Sequence, residues 1–588
     1  MPQKMELNVR EKAAWREFTE KNFTGIPSEA LEWIERDFPG PWRRGTEPAF
    51  SLRMTRPGSA LPSPAEIPAR PDAYVLRIRP DGIYIDAAGA AGIRYGLQTL
   101  RQIVEGNDLI PTGDITDYAV IAVRGIHVDL KGYLPKFERL MKDFTRLAQY
   151  KVNLVLLELE DKYNYRCAPD VGVPGAYTFD QLRTLSLHAA SLGIEIVPKV
   201  QCLAHVDYLL KHPRYRHLRE GDHPYQYCPR NDEVVELWKA MASEAMDAFR
   251  EHRGYFHIGA DEADNLGSCP RCEPYGKAES YLFHVDRCLD FLIARGRTPI
   301  LWDDMFRDPY CSLGPGGAAK IMPLAEKAIL NYWSYGYSGN NNTFPFMAEY
   351  RRRGFRIWGS SAFASCDNWA GSIPHLDIRI KNIDAWLKTS IEHGLEGIIA
   401  TGWSRMSSST PPIEPRENLW FSLVYAAESM WSGRTRCLDE LIELVSLRLY
   451  GRLMPCYLRR AVMNIAKNPV VLNDSQYGEC DDVPELALLQ YTAAAESLSQ
   501  PLSMLVANDR MFYGQIGTGQ LPDYLFNGRR ALVRKFKEDL DKLEREVRRW
   551  MAEFYEPVTI EDFIRTRFGY CRHYAEDFSS RLEQTKPL

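Results

Sequence analysis

Cysteine is scarce, at 12 residues in 588 without a framework spacing, which fits free thiols in a reducing cytosol better than a disulfide scaffold. Long apolar runs are missing too. No uninterrupted stretch reaches the ~18 residues that span a bilayer, and the start MPQKMELNVREKAAW has no apolar segment behind its lysine. A cytoplasmic protein without a membrane partner is expected. Neither sign of charge dominates: 73 basic residues face 78 acidic ones, a net −5, so no field spans the molecule that would hold nucleic acid. Internal repeats and low-complexity tracts are absent as well.

What remains is the balance of a globular protein, 45% hydrophobic and 26% charged, long enough for about three or four domains. Aromatics reach 12%, and many fall where strands should end. Such placement suits either large cores or the stacking of flat apolar ligand faces.

The order of patterns divides the chain into three regions. Residues 1–120 read as a small α/β domain. A loop punctuated by Pro57, Pro62, Pro64, Pro68 and Pro71 leads into YVLRIR, a Pro80-Asp81-Gly82 turn and IYIDA, a β-hairpin by its alternation. A helix follows with Ile93, Leu97, Leu100 and Val104 on one face; the segment NDLIPTGDITDYAV reads as a linker. Across residues 121–435, VRGIHVD, NLVLLEL, IEIVPKV, GYFHIG, TPILW, AILNYW, FRIWGS and GIIATGW alternate with amphipathic helical segments. That is the pattern of an α/β (β/α)8 TIM barrel. A doubly wound open sheet is the alternative, but no GxGxxG turn or P-loop follows any of these runs. Residues 436–588 read as an α-helical C-terminal region. In it, Phe536, Leu540, Leu543, Val547, Trp550 and Phe554 make one stripe on a charged helix, either a homodimer seam or a face packed on its own domain.

In a barrel the C-terminal ends of the strands share one mouth, and here those ends are polar and aromatic. The first carries His127, Asp129 and Lys131, the second Glu158, Glu160 and Asp161, and the third Gln201 and His205. Then come Asp261-Glu262, Trp302-Asp303-Asp304, Trp333 with Tyr335, Trp358 and Trp403. Asp261 and Glu262 lie where a strand passes into a loop, so both carboxylates can approach one ligand from different directions. Hydrolysis of a pyranoside needs such a pair, a protonated acid beside the leaving oxygen and a carboxylate near the ring carbon or its neighbouring substituent. Trp302, Trp333 and Trp403 could wall a pocket whose faces fit a sugar ring or an acetamido methyl.

The run FHIGADEADNLG resembles the H-x-G-x-D-E signature of glycoside hydrolase family 20, the β-N-acetylhexosaminidases, and AGIRYGLQTLRQI resembles the end of the small domain before that family's barrel. HVDLKG, ELEDKYNY, VQCLAH, ILWDDMFRD, GSSAF and GIIATGW are similar to the family's D-type branch, which is cytosolic or nuclear and favours N-acetylgalactosaminides. The resemblance covers about residues 70 to 435. It implies an exo-acting enzyme on terminal β-linked GalNAc or GlcNAc that retains configuration through an oxazolinium intermediate, with the substrate's acetamido oxygen as nucleophile; the paired acids at the rim are enough to work without a cofactor or metal. Asp261 would orient the acetamido N–H and offset the intermediate's charge, and Glu262 would act as general acid and then base. The three indoles would form the acetamido cage, Tyr335 would donate to the acetamido oxygen, and His205 would support the acid. Lys131-Gly132 stands where most of the family has an arginine, and Gln201 where an aspartate usually pairs with the histidine. Lys131, Glu160, Asp161 and Asp303 are the candidate readers of the sugar hydroxyls.

Two competing readings stay open. One is a retaining β-glycosidase for a sugar without the acetamido group, with Glu160 or Asp303 as the separate nucleophile; the other is a non-catalytic sugar-binding barrel. Cys269-Pro270-Arg271-Cys272 forms a CxxC just past the acidic pair. Zinc would need two more ligands, for which Cys228 and His223 are at hand, and without a second CxxC no metal is assigned.

Overall fold

In the computed structural model, which describes residues 4–14, 50–54, 70–79, 82–104, 109–308, 312–336, 342–365, 371, 373–463, 470–517 and 522–585, the extended segments sort into two main sheets. The first contains β1 (Lys4–Ala14), β2 (Phe50–Met54), β3 (Tyr74–Arg79), β4 (Gly82–Ala87) and β5 (Leu109–Asp117), in the order β1-β5-β3-β4-β2. β3 and β4 are the expected hairpin, antiparallel with Leu76 opposite Ile85. The centre of its turn, Pro80 and Asp81, and the prolines at 57, 62, 64 and 68 lie outside the described residues. Helix α1 (Ala90–Val104) lays Ile93, Leu97 and Leu100 against Tyr74, Leu76 and Ile85. The segment read as a linker is instead strand β5, paired with both β1 and β3. Pro111 and Gly113 disguised it. The β1–β5 register slips opposite Pro111, the kind of irregularity at which a sheet admits a residue without an N–H.

All eight apolar runs of the middle region are parallel barrel strands: β6 (Val123–Asp129), β7 (Leu154–Glu158) and β8 (Glu195–Lys199), then, after a short hairpin of β9 (Arg219–Glu220) and β10 (His223–Tyr227), β11 (Tyr255–His257), β12 (Thr298–Trp302), β13 (Ile329–Trp333) and β14 (Arg356–Ser360). A short β15 (Ala362–Ala364) precedes β16 (Gly397–Gly402), which pairs with β6 and β14 and closes the cylinder. Strand alternation decides the two faces. Leu154, Leu156, Val197, Ile300, Ile329 and Ile399 fill the interior, while Val155, Leu157 and Ile196 turn out to the helices. Trp358 belongs to that interior: it packs edge-on against Tyr255 and donates its indole N–H to Glu396, so it is not a rim residue. On the outside, α2 (Phe137–Gln149) buries Leu140, Phe144 and Leu147, spaced by three and four.

The C-terminal region is helical, with α3 (Pro484–Glu496), α4 (Asp523–Phe554) and α5 (Pro557–Glu583) as its main members. The stripe from Phe536 to Phe554 is buried between these helices. It is an internal packing face, not a dimer seam. After α4 the chain reaches back to the barrel, where Glu556 N donates to Leu134 O at 3.0 Å and Lys136 N to Phe554 O at 2.8 Å. Among the described residues no helix is long and apolar enough to cross a membrane.

Candidate active site

β11 ends at His257, and the backbone then reverses through a run of positive φ values: Gly259 at +69°, Ala260 at +66° and Glu262 at +46°. Glycine is required at 259, where a Cβ would lie 1.6 Å from Gln201 Oε1. Ala260 and Glu262 hold the same region against their Cβ atoms, strain of about 1–3 kcal/mol each that a fold retains where the geometry matters. His257 pins the start of the turn, accepting Gly259 N at Nδ1 (2.9 Å) with its ring on Trp302. Burial holds the His257 imidazole well below its usual pKa, so it is neutral.

The reversal aims both adjacent carboxylates at one imidazole. His205 Nε2 lies 3.2 Å from Asp261 Oδ2 and 3.3 Å from Glu262 Oε2. His205 also has positive φ, at +56°. Burial works against its charge, but Asp261 and then Glu262 outweigh that and push its pKa up to about 10. Asp261 is buried, yet the facing His205 and, further off, Lys199 hold its carboxyl well below the usual range. Glu262 stays half exposed, with 48% of its side chain open. Its backbone N–H donates to Asp304 Oδ2 at 2.9 Å; burial and the charge of Asp261 push the Asp304 carboxyl up to about 7. One fixed anion, one fixed cation and one accessible carboxyl group therefore share this edge of the pocket.

The floor comes from the first three strands. His127 Nε2 and Lys199 Nζ meet Glu158 Oε2 at 3.0 and 2.9 Å, and Lys131 Nζ lies 3.4 Å from Asp129 and 3.5 Å from Glu158. Lys131 and Lys199 place their ammonium groups 4.6 and 4.9 Å from the centre of the Trp403 ring, a cation–π arrangement that tethers the indole. Burial alone would lower the Lys131 pKa, but Asp129 and Glu158 raise it. The departure at Lys131-Gly132 has a steric side: a Cβ on Gly132 would lie 2.5 Å from Ser404 O, where the loops after the first and eighth strands touch.

Trp302, Trp333, Tyr335 and Trp403 form the apolar wall. Trp333 stacks on Tyr335 at 5.2 Å, and Trp403 donates its indole N–H to the Tyr335 hydroxyl at 3.2 Å. Lys131, Gln201, His205, Asp261, Glu262, Arg405 and Met406 complete the lining.

Three expected sugar readers are not there. Asp303 is fully buried beneath the wall, held by Arg307 through both oxygens (2.9 and 2.6 Å) and by Trp333 N (3.1 Å). Trp302 is the last strand residue; past it the backbone turns helical at Asp303, which is held under the wall, while Asp304 Oδ2 meets Glu262 N beside the acids. Asp161 is 1% exposed and bound to Lys162, Lys211 (2.9 Å) and Arg405 (3.7 Å); burial opposes its charge, but these three cations bring its pKa to about 2. Glu160 is buried, and burial, opposed by Lys131 but reinforced by the charges of Glu158 and Asp207, raises its pKa well above the usual range. Neither Glu160 nor Asp303 is placed to attack a ligand in the pocket.

Sequence reasoning also missed three participants. Tyr225 places its hydroxyl 2.8 Å from His205 Nε2 and comes from the β9–β10 hairpin, which no barrel pattern announces. Asp304 adjoins Asp303, and nothing in the local sequence distinguishes the two. Arg405 stands two residues beyond Trp403 in a loop whose path the sequence leaves open.

Residues 123–344 match the model of glycosyl hydrolase family 20, catalytic domain, and residues 45–118 that of glycosyl hydrolase family 20, domain 2. Hexosaminidase D of Bos taurus is 31% identical, over 48% of this chain and 84% of the relative. Hexosaminidase D of Homo sapiens is 30% identical over 48% of this chain, which spans 60% of that relative's length. Among solved structures, a Flavobacterium johnsoniae chitobiase shares the fold, with a TM-score of 0.60 at 15% identity over 99% of this chain and 91% of its own.

Proposed function

The chain belongs to glycosyl hydrolase family 20 and is a β-N-acetylhexosaminidase, and on that premise we propose how its residues divide the work. Glu262, the accessible carboxyl group, protonates the leaving oxygen and then deprotonates water. Asp261 stays ionised beside His205, orients the substrate's acetamido N–H and offsets the positive charge of the oxazolinium intermediate. The acetamido oxygen is the nucleophile and the sugar keeps its configuration. Trp302, Trp333 and Trp403 enclose the acetamido methyl and ring, with Tyr335 toward the acetamido oxygen. Lys131 and Arg405 read hydroxyls of a terminal β-linked GalNAc or GlcNAc, while Asp161 positions Arg405 from behind. The sharing of His205 by Asp261 and Glu262 at a tryptophan-walled pocket carries this reading. The withdrawal of Glu160 and Asp303 from the pocket supports a nucleophile supplied by the substrate. A cytoplasmic setting is part of the proposal, supported by ten free cysteines among the described residues.

The test compares nitrophenyl N-acetyl-β-hexosaminides with the plain β-glucoside and β-galactoside. Only the acetamido sugars should turn over, proton NMR should show the β-anomer released first, and a thiazoline mimic of the cyclised intermediate should inhibit strongly. Release of the α-anomer first, or a thiazoline no better than the free sugar, would overturn the mechanism.

A further inference from the structure

Outside the pocket lining, four side chains converge from the segment after Glu262 and from the β9–β10 hairpin and the residue just beyond it. Cys228 Sγ lies 3.5 Å from Cys269 Sγ and 3.6 Å from Cys272 Sγ, and Cys272 Sγ lies 3.1 Å from Glu220 Oε2. All four donor atoms fall within 4.8 Å of one another, and all four residues are buried. The partner once expected from His223 is not supplied: that side chain is exposed, and its Nδ1 faces Tyr225 N. Glu220, the last residue of β9, takes its place.

We propose that Glu220, Cys228, Cys269 and Cys272 bind one zinc ion. Sulfurs at the corners of a tetrahedron with Zn–S of ~2.3 Å stand about 3.8 Å apart, near the distances here, whereas a disulfide needs ~2.05 Å. Zinc also answers an electrostatic question. Glu220 is 0% exposed, and among the described residues no lysine, arginine or histidine forms an ion pair with it. A carboxylate buried without a countercharge is strongly disfavoured, and the thiols do not supply one. The other carboxylate oxygen is already oriented, since Oε1 accepts Ser268 N at 2.8 Å and Cys269 N at 3.0 Å, the outer-sphere support that metal ligands ordinarily have. The Cys269-Pro-Arg-Cys272 turn is preformed by Cys272 N and Glu273 N, both donating to Cys269 O at 3.0 Å. Three soft sulfurs select zinc over magnesium or calcium. Binding exchanges three thiol protons for one Zn2+, leaving three thiolates and one carboxylate around the metal.

A second group, Cys202, His284 and Cys288, has one ligand fewer, and His284 Nε2 is engaged at 2.6 Å by the carbonyl of Cys202. It carries no such proposal. The four-residue site, by contrast, joins two segments that serve the pocket: the loop following Glu262 and the hairpin bearing Tyr225. Zinc there is a clamp. It holds the hairpin against the acid loop at the point where Tyr225 meets His205, and it takes no part in the chemistry.

The full-length protein, purified without added metal and passed through a desalting column, should contain one zinc per chain by elemental mass spectrometry. Cobalt exchanged into it should give thiolate charge-transfer absorption and tetrahedral visible bands. Cys269→Ser with Cys272→Ser should remove the zinc; Glu220→Gln, which keeps size and hydrogen bonding, should weaken it by roughly 10–100-fold in competition with a chelator dye and serves if the double variant fails to fold. Zinc-free wild-type protein with three freely titratable thiols, a disulfide within the cluster, iron in place of zinc, or full zinc in both variants would overturn the proposal. None of these readouts depends on turnover, so the site stands or falls apart from the proposed mechanism.

Discussion

Replacing Asp261 by asparagine should change the charge of a residue that is left untouched. His205 owes its raised pKa of about 10 to two carboxylates at 3.2 and 3.3 Å. At an effective dielectric constant of 20, a unit charge at 3.2 Å contributes about 5 kcal/mol, or about 3–4 pH units at 1.36 kcal/mol each. Asp261→Asn should therefore bring His205 to about pH 6–7. Glu262 is half open to water, and at a dielectric constant near 80 its charge contributes about 1 kcal/mol, so Glu262→Gln should lower the same titration by about one pH unit. The assay is carbon-detected titration of the histidine ring carbons in labelled protein, with the His205 signal assigned by its loss in His205→Gln. The sign extends to stability. A histidine whose folded pKa is raised contributes stabilisation that is complete below about pH 6.5 and lost as pH rises through about 10. The alkaline fall in wild-type melting temperature should thus shrink in Asp261→Asn. Titration of His205 above about pH 9 in that variant, or equal shifts in the two variants, would refute the asymmetric pairing on which the division of roles rests.

Kinetics should separate the same two residues. Glu262→Gln should lose about 10²–10⁴ in rate with poor leaving groups and far less with an activated aryl group, whereas Asp261→Asn should lose activity with both. Asp304→Asn should remove an inflection near pH 7 from the kcat/KM profile; an unchanged profile would exclude Asp304 from the acid's environment. Arg405→Met should raise KM by about 10–150-fold, the equivalent of a lost charged hydrogen bond of about 1.5–3 kcal/mol, with the fold intact because Asp161 keeps Lys162 and Lys211. Leu540→Ala should destabilise by about 2–5 kcal/mol in urea unfolding without changing the mass seen by light scattering; a change of mass would return the stripe to a subunit interface.

The eight barrel strands were legible because buried parallel strands are continuous β-branched runs, and the proposed catalytic pair because its loop carries a specific signature. Strand β5 was illegible for the opposite reason. Its Pro111 and Gly113 are breaker residues, and only pairing on both sides makes that segment a strand. The choice of Asp303 over Asp304 failed on parity, which can be counted along a strand but not past its end, where the short turn at Asp304–Phe306 begins. Charged residues near the rim look alike in sequence. Whether Glu160, Asp161 or Arg405 faces ligand depends on partners as distant as Lys211 and Asp562, and no local pattern encodes such pairs. His205 could be placed in the site from sequence, but Tyr225, which completes its surroundings, sits on an inserted hairpin.

Arg405 forms part of the pocket wall, yet one of its two carboxylate neighbours, Asp562 at 3.6 Å, comes from helix α5 of the C-terminal region. The same helix reaches the loop beyond Arg405, where Arg567 donates to the carbonyls of Pro412 and Ile413 at 3.1 and 2.9 Å. For protein engineering this means that the barrel is not a free-standing module. Cutting the chain after β16 to obtain a minimal enzyme would strip the outer support from an arginine that lines the pocket, so such a truncation should disturb the pocket as well as the fold. In divergence, likewise, a substitution on α5 offers a route to retuning the pocket without touching any residue that lines it.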